Sequence, residues 1–70
     1  MSVNFKELQH YIEIGEICEI RFIGRSCEVI TQISSIVNYD VKSAVIELPN
    51  HGHIRISDIV SIVPITPGHP

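Results

Sequence analysis

β-branched aliphatic residues dominate the apolar content of this chain, and this imbalance restricts the fold more than any other feature. The sequence holds 14 Ile and 7 Val, but only 2 Leu and 1 Ala. Branching at Cβ restricts χ1 and suits the pleated surface of a strand, whereas Leu and Ala favour helices. The composition therefore predicts a mainly β protein.

The chain has 70 residues, which is enough for one domain with a marginal core. Two cysteines are too few for a disulfide framework, so the core needs a very apolar interior or a partner. No secretory leader and no apolar run of membrane-spanning length is visible, so a cytoplasmic location is expected. We expect one domain over residues 1–65 and a flexible, Pro-rich tail over residues 66–70.

A short helix is predicted near the start of the chain. Asn4 and Glu7 have the spacing of a capping box, in which both side chains bond to backbone amides of the first turn. The apolar residues that share one helix face are Phe5, Leu8 and Ile12. Gly15 is suited to end the helix, because glycine adopts the left-handed conformation without strain. The predicted helix covers about residues 5–13.

After the helix the apolar period changes to two, which predicts a strand with Cys18, Ile20 and Phe22 on one side. Gly24-Arg25 is a candidate two-residue hairpin loop, because a type II′ turn has Gly at its first central position. That loop pairs Phe22 with Cys27, Ile20 with Val29, and Cys18 with Thr31. All six side chains then lie on one face, so both cysteines are expected to be buried, reduced thiols.

Two further strands are predicted in the middle of the chain. The second strand continues through Ile33 towards Val37, and Asn38–Asp40 is expected to be a loop. A third strand over residues 43–48 follows. Its expected inward residues are Ala44, Ile46 and Leu48.

Turn residues also organise the last part of the chain. Asn50-His51-Gly52 is predicted to be a three-residue hairpin loop that pairs Leu48 with Ile54 and Ile46 with Ile56. Ser57-Asp58 forms a tight corner before a last short strand over residues 59–64. The predicted fold is a short N-terminal helix followed by a five-stranded SH3-like or Sm-like barrel, whose closure removes the exposed sheet edges.

The order of helix, strand meander and terminal Ile-Arg-Ile-Ser-Asp-Ile-Val-Ser-Ile at 54–62 resembles the bacterial Rho-binding antiterminators. These are small Sm-like modulators of Rho-dependent transcription termination, and the resemblance extends over residues 5–65. It implies a protein that binds the termination factor, blocks its RNA contacts and needs no cofactor. The net charge of −3 suits a partner with a basic RNA-binding surface. Ser57-Asp58 stands where RNA-binding Sm proteins carry a Lys-His element, which argues against RNA binding.

No motif in the sequence indicates catalysis or a metal site. His51 and His53 form an H-x-H pair, but a metal site needs three or four ligands and no Cys or carboxylate is adjacent. Exposed turn histidines are the favoured interpretation. No serine lies in a G-x-S-x-G elbow with a recognisable His and acid. We therefore expect no enzymatic activity, no metal and no cofactor.

Five residues in or next to predicted loops are the candidate binding residues: Arg25, Asn38, Tyr39, His51 and His53. For Tyr39 the alternative is a side chain that covers one end of the barrel with its hydroxyl in water. Nucleic acid is not favoured as a ligand, because the five Lys and Arg residues are scattered in a chain of net charge −3.

Strand alternation also assigns several apolar side chains to outer faces, namely Ile17, Ile23, Ile30, Val45, Val60 and Ile62. The helix covers some of them, and the remainder forms an apolar patch of the kind that marks an interface. A dimer or ring joined through such a patch would also reinforce the marginal core. The interface candidates are therefore Ile17, Ile23, Ile30, Val60 and Ile62.

Three functions remain open at the level of the sequence. The first is a noncatalytic module that regulates transcription termination by contacting a protein, as the resemblance implies. The second is a structural or oligomerisation module, and the third is an Sm-like RNA-binding protein. Nuclease treatment of the captured complex separates the first from the third, while self-association alone would indicate the second.

Overall fold

A computed structural model describes residues 5–65 of the chain. Within that range one helix precedes six strands and a 3₁₀ turn. In chain order these are α1 Phe5–Ile14, β1 Cys18–Ile23, β2 Val29–Ser34, β3 Asn38–Asp40, β4 Val45–Leu48, β5 Gly52–Arg55, the 3₁₀ turn Ile56–Asp58 and β6 Ile59–Pro64. The prediction of a mainly β chain with a short N-terminal helix is confirmed. Asn4 of the predicted capping box and the predicted tail lie outside the described residues.

The helix packs on the strands mainly through Leu8, which is only 1% exposed, and Tyr11 and Ile12 contact the same apolar cluster. Gly15 ends the helix with φ = +66°, as predicted. The Gly15 amide donates to the Ile12 carbonyl at 3.3 Å. The Glu16 amide donates to the Tyr11 carbonyl at 2.9 Å, which completes a Schellman motif. Among residues 5–65, no helix is long and apolar enough to cross a membrane.

The strands form two three-stranded antiparallel sheets, ordered β2-β1-β6 and β3-β4-β5. The chain enters the second sheet between β2 and β3, and returns to the first through the 3₁₀ turn, which is the corner predicted at Ser57-Asp58. The core draws on the helix, on both sheets and on the β2–β3 connection. Its buried residues are Leu8, Cys18, Ile20, Phe22, Ile36, Ile46, Leu48 and Ile59.

The first hairpin differs from its prediction. Phe22 lies opposite Ile30 in the β1–β2 ladder, and not opposite Cys27. The Gly24 amide donates to the Glu28 carbonyl at 2.7 Å, and the Cys27 amide donates to the Gly24 carbonyl at 3.0 Å. Cys27, and not Gly24, takes a left-handed φ, of +63°. The connection is therefore a three-residue loop with a left-handed bulge residue in place of the type II′ turn.

In this register the opposite face of β2 packs on the core, because a pairing that is shifted by an odd number of residues exchanges the two faces of a strand. Cys27, Val29 and Thr31 were expected to face the core, and all three are exposed instead. Ile30 and Gln32 take the inward positions. The prediction of a buried thiol is thus confirmed for Cys18 and wrong for Cys27, although both thiols are free.

An inward amide at Gln32 is tolerated because its donor groups are satisfied. Nε2 donates to the Pro49 carbonyl at 2.8 Å and to Ser34 Oγ at 3.0 Å. The Ser34 hydroxyl donates to the Ser35 carbonyl at 3.0 Å. Among residues 5–65, no buried side-chain nitrogen or oxygen lacks a hydrogen-bond partner. Gln32 therefore links the first sheet to the β4–β5 connection.

Strand β3 occupies the segment that was predicted to be a loop. Asp40 ends it, because Oδ1 accepts from the Lys42 amide at 2.9 Å and Oδ2 accepts from Ser43 Oγ at 3.1 Å. Because of the resulting turn over residues 41–44, β4 begins at Val45 and not at residue 43 as predicted. Ala44 lies in this turn with φ = +54° and is exposed, so the inward position predicted for it is wrong.

The pairing predicted for the β4–β5 hairpin is also wrong, but with a smaller consequence. Its loop covers residues 49–51 and pairs Leu48 with Gly52 and Ile46 with Ile54. The pairing shift is even, so the inward orientation of Ile46, Leu48 and Ile54 is unchanged. Asn50 and Gly52 take the positive φ values that the reversal requires, +71° and +72°.

Candidate functional site

A surface groove of about 330 Å³ lies between the tip of the β1–β2 hairpin and β5, and we call it the hairpin groove. Its charged and imidazole side chains are Arg25, His51, His53, Arg55 and Asp58. Its apolar lining comes from Phe22, Ile23, Ile30 and Ile54. Three of the five candidate binding residues predicted from the sequence therefore share one site.

The two hairpin loops position the polar side chains of the groove. Arg25 belongs to the loop between β1 and β2, and His51 to the loop between β4 and β5. His53 and Arg55 are alternate residues of β5, so they share one face of that strand. The His51 ring contacts Phe22 edge-on, with centroids 5.3 Å apart and an interplanar angle of 80°. This contact attaches the β4–β5 loop to a core residue near the end of β1.

The hairpin groove concentrates basic groups in a chain that is acidic overall. Two of the five Lys and Arg residues and two of the four His residues line it, while the net charge of the chain is −3. Arg55 Nε lies 3.0 Å from Asp58 Oδ2. Arg25 forms no ion pair with any residue of the described range 5–65. Two guanidinium groups against one carboxylate give the groove a local excess of positive charge.

The remaining two binding candidates do not line the hairpin groove. Tyr39 is half-buried, packs against the core and has its ring centroid 6.0 Å from that of Phe5. Asn38 Oδ1 accepts a hydrogen bond from the Tyr39 amide at 2.8 Å. Both side chains thus have contacts within the fold, on a different part of the molecule from Arg25.

Two titratable groups near the helix have pKa values that the fold raises. Burial raises the pKa of the Cys18 thiol, and the Glu16 carboxylate adds to the effect. Burial also raises the pKa of Tyr11, together with the hydrogen bond that its hydroxyl donates to Glu7 at 3.2 Å. A thiol kept protonated inside a core is a poor nucleophile. Neither group lines the hairpin groove.

The observed strand pairing leaves three of the five interface candidates at least partly exposed and packs the other two against the core. Ile17 and Val60 are exposed, and Ile23 is half-buried. The outward orientation expected for Ile30 and Ile62 is wrong, because both side chains pack against the core. For Ile30 the cause is the shifted β1–β2 register, and for Ile62 it is an irregularity in the β1–β6 pairing next to Val60.

A second surface lies where α1 ends. This helix-end surface consists of Glu13, Ile14, Glu16, Ile17 and Ile65. Ile14 is 54% exposed and Ile17 is 46% exposed. The Ile65 amide donates to the Ile17 carbonyl at 2.9 Å, which places the residue after β6 beside Ile17. Neither Glu13 nor Glu16 forms an ion pair with a residue in the described part of the chain.

Of the helix-end surface, only Ile17 is among the residues predicted from the sequence. Ile14 departs from the spacing of the apolar helix face, and this departure is the signal in the sequence that distinguishes it. Of the hairpin groove, Arg55 and Asp58 were not predicted. These two opposite charges lie three residues apart at the predicted corner, and this spacing is the signal that marks them as a pair.

Exposed apolar side chains also lie on the first sheet. Val29 and Ile33 on β2 are 57% and 61% exposed, and Val63 on β6 is 50% exposed. Glu19 of β1 pairs with Ile33 on one side and with Val63 on the other. Its carboxylate lies 3.6 Å from the Arg21 guanidinium, so an ion pair interrupts the apolar area.

Comparisons of the chain with protein-family models, with curated proteins and with solved structures find no match. Over residues 5–65, no group of three His, Cys, Asp or Glu side chains is placed to hold a metal ion. The geometry and charge of two surfaces, the hairpin groove and the helix-end surface, are therefore the features from which a function is inferred.

Proposed function

We propose that the chain is a noncatalytic binding module that acts by protein–protein contact through its helix-end surface. In this proposal the partner presents a basic and partly apolar surface. The resemblance to the Rho-binding antiterminators suggests that the partner is the transcription termination factor and that the contact forms in the cytoplasm. The observation that carries the proposal is that exposed isoleucines at the end of α1 lie close in sequence to Glu13 and Glu16, which form no ion pair within residues 5–65.

The electrostatics of the helix end favour a cationic partner. Glu13 lies in the last turn of α1, which contains no basic residue. A negative charge at this position is unfavourable, because the C-terminal end of the helix dipole is itself negative. Glu16 follows within the same short segment. Lysine or arginine side chains from a partner would pair with both carboxylates and remove this repulsion.

The apolar part of the helix-end surface supplies the area that such a contact would bury. Ile14, Ile17 and Ile65 are all exposed. Ile14 and Ile17 lie three residues apart at the end of α1, and the backbone bond between residues 17 and 65 brings Ile65 beside Ile17. Removing apolar surface from water contributes roughly 25 cal/mol per Å². A 70-residue chain has a marginal core, so a partner that covers these side chains also stabilises the fold.

The architecture that we propose for the module is the five-stranded SH3-like or Sm-like barrel, with β2 and β3 as two halves of one bent strand. Residues 35–37 separate these halves, and the Val37 amide already donates to the Glu47 carbonyl of β4 at 2.9 Å. Ile36 in the bend is buried. The return from β5 to β6 through a 3₁₀ turn supports the same architecture.

The function is tested with the purified termination factor. The test variant is Glu13→Lys/Glu16→Lys, and the control is Glu28→Lys, which makes the same type of charge change at the opposite end of β1. We expect the wild-type and control chains to bind and to reduce factor-dependent termination in a purified transcription reaction. The double variant should bind about tenfold more weakly or worse, since it replaces attraction by repulsion.

Two results would contradict the proposal. One is the absence of binding by the wild-type chain, and the other is equal binding by all three chains. Nuclease treatment of the complex adds a further criterion, because a direct protein contact survives it. Loss of the complex on nuclease treatment would favour the RNA-binding alternative instead.

The exposed side chains of the first sheet favour a second candidate function, a self-associating structural module. Val29 and Ile33 expose more than half of their surfaces on an edge strand. Edge strands with apolar faces are sites of association between chains. Sedimentation at high protein concentration tests this candidate. A single species of 7.9 kDa would exclude it, and a dimer dispersed by Ile33→Lys would support it.

A further inference from the structure

We propose that the hairpin groove binds an acidic peptide segment, with a carboxylate at Arg25 and Arg55 and a neighbouring apolar side chain against Ile30 and Ile54. This site is additional to the proposed contact at the helix-end surface. Its ligand also has the opposite charge, because the helix-end surface presents carboxylates and the hairpin groove presents guanidinium groups.

The shape and lining of the groove set the size and polarity of the ligand. A volume of about 330 Å³ corresponds to roughly eleven waters at the density of the liquid, enough for one or two side chains. Phe22 lines the groove as part of the core, and the half-buried Ile30 and Ile54 adjoin it. The apolar residues form the smaller part of the lining, enough to contact one apolar side chain beside the polar groups. The groove therefore fits a ligand that is apolar and charged at once.

The two guanidinium groups of the groove, set against one carboxylate, favour an anionic ligand. Arg25 forms no ion pair with any residue between 5 and 65, and Arg55 bonds to Asp58 through Nε. Guanidinium groups bind carboxylates through parallel hydrogen bonds, which add directional specificity to the charge attraction. His51 and His53 add ring N–H donors to the same site. Four nitrogen-bearing side chains thus converge around an apolar lining.

The surroundings of the groove favour a single carboxylate over a nucleic acid. A phosphate backbone carries one charge per nucleotide and needs an extended basic track. Here Asp58 lies inside the groove, and Glu28 lies on the β1–β2 hairpin, with its carboxylate accepting a hydrogen bond from the Ser26 amide at 3.0 Å. A polyanion that continued past the two arginines would meet these carboxylates in a chain of net charge −3. A short segment with one carboxylate brings a single negative charge close to them, so its electrostatic penalty is smaller.

The hairpin groove and the helix-end surface are spatially independent. The helix-end surface adjoins the first residue of β1, Cys18, whereas the groove begins at Phe22 and continues into the hairpin loop. Residues 18–21 of β1 therefore lie between Ile17 and Phe22, which are about 17 Å apart along an extended strand. One chain can consequently hold two oppositely charged segments at once, either from one partner or from two.

The test is an NMR titration of the full chain with the peptide acetyl-Ser-Leu-Glu-Leu-Ser-amide, which carries one carboxylate. The matched probe replaces Glu by Gln, which keeps the size and removes the charge. We expect the acidic peptide to bind about tenfold more tightly than the neutral one and to shift the amide signals of residues 22–25 and 51–55. Arg25→Gln should weaken binding about tenfold, because Arg25 is exposed and contributes charge rather than packing.

The control variant is Arg21→Gln, which removes an arginine from the outer face of β1, where it pairs with Glu19 at 3.6 Å. It should leave peptide affinity within about twofold of the wild-type value, since it lies outside the groove. Equal affinity for the acidic and neutral peptides would overturn the proposal, as would signal changes confined to other regions. Tighter binding of inorganic phosphate or of an oligouridine than of the acidic peptide would also overturn it.

Discussion

Phe22 and Ile30 lie opposite each other in the β1–β2 ladder, and both side chains pack in or against the core. This pair determines the orientation of all of β2, because successive strand residues face opposite sides. It also determines how the hairpin closes, with Cys27 exposed near the tip and Arg25 directed to the groove. One cross-strand pair therefore sets the accessibility of a thiol and the composition of a candidate binding site.

The first prediction is that the two thiols differ strongly in reactivity. Cys18 is fully buried, and burial raises its pKa, whereas Cys27 is exposed. We expect one thiol per chain to react rapidly with Ellman's reagent at neutral pH, and the other to react only as the protein unfolds. Cys27→Ser should remove the rapid phase. Two rapid phases would contradict the burial of Cys18, and none would contradict the exposed hairpin tip.

The second prediction concerns the backbone at Cys27, whose φ is +63°. The left-handed region costs an L-residue about 1–2 kcal/mol, and glycine avoids that strain but loses about 0.5–1 kcal/mol of chain entropy. We expect Cys27→Gly to raise the free energy of unfolding by about 0.5–1 kcal/mol in urea denaturation. Cys27→Ala, the control, keeps the strain and should be close to wild type. A glycine variant less stable than the alanine variant would show that the loop is built differently.

The third prediction tests the docking of α1. Leu8 is 1% exposed and belongs to the core, so Leu8→Ala should lower the free energy of unfolding by about 2–5 kcal/mol. Ile14→Ala is the matched control on the same helix, and its exposed side chain should account for about 0.5 kcal/mol or less. Both values come from urea denaturation. Similar values for the two variants would mean that the helix does not pack on the sheets.

The fourth prediction is a pH dependence at Asp40. Hydrogen bonds from the Ser43 amide and hydroxyl, with a further one from the Lys42 amide, lower the pKa of this carboxyl. Because the folded pKa is below the unfolded one, the contribution to stability is complete above the unfolded pKa and is lost as pH falls through the folded pKa. The wild-type protein should therefore exceed Asp40→Ala in stability at about pH 6, and the difference should shrink below about pH 4.

The measurement for Asp40 is the free energy of unfolding of both proteins across that pH range. The effect is expected to be small, because the carboxyl is exposed to solvent. Asp40→Asn is a useful second variant, since its amide oxygen can still accept from the turn amides but does not titrate in this range. A difference between wild type and Asp40→Ala that stays constant with pH would contradict the proposed cause.

The parts of the fold that were predictable from sequence depend on local interactions. The helix end at Gly15 follows from the conformational freedom of glycine, and the inward face of Cys18, Ile20 and Phe22 follows from simple alternation. Both features were expected and both are present. The last strand and its preceding corner were predictable as elements, because turn residues precede a run of apolar residues there, but the irregularity at Val60 that changes the facing of Ile62 was not.

The orientation of β2 was not predictable from local pattern. Its more apolar face, with Val29 and Ile33, is the one that is exposed. The observed orientation of β2 places Gln32 inward. There its amide donates to the Pro49 carbonyl at 2.8 Å, a partner 17 residues further along the chain. A hairpin shift of an odd number of residues is enough to reverse a face, and only the tertiary contact decides between the two registers.

The candidate sites were predictable to different extents. Loop position alone indicated Arg25, His51 and His53, because loops on a rigid scaffold often carry binding groups. Their convergence into one groove depends on the packing of the two hairpins, which includes the contact between His51 and Phe22. The helix-end surface depends on the hydrogen bond between residues 17 and 65, and these segments are far apart in sequence. Long-range contacts therefore assemble both sites.

The claim on which the functional account depends is that the helix-end surface contacts a protein. The most direct measurement is the dissociation constant of the purified termination factor for the wild-type chain, for Ile17→Asp and for Val41→Asp, by calorimetry. Val41 is a matched control, because it is also an exposed apolar residue but lies in the β3–β4 turn. We predict that Ile17→Asp raises the dissociation constant about tenfold or more and that Val41→Asp changes it less than about twofold. Equal dissociation constants for all three chains would contradict the account.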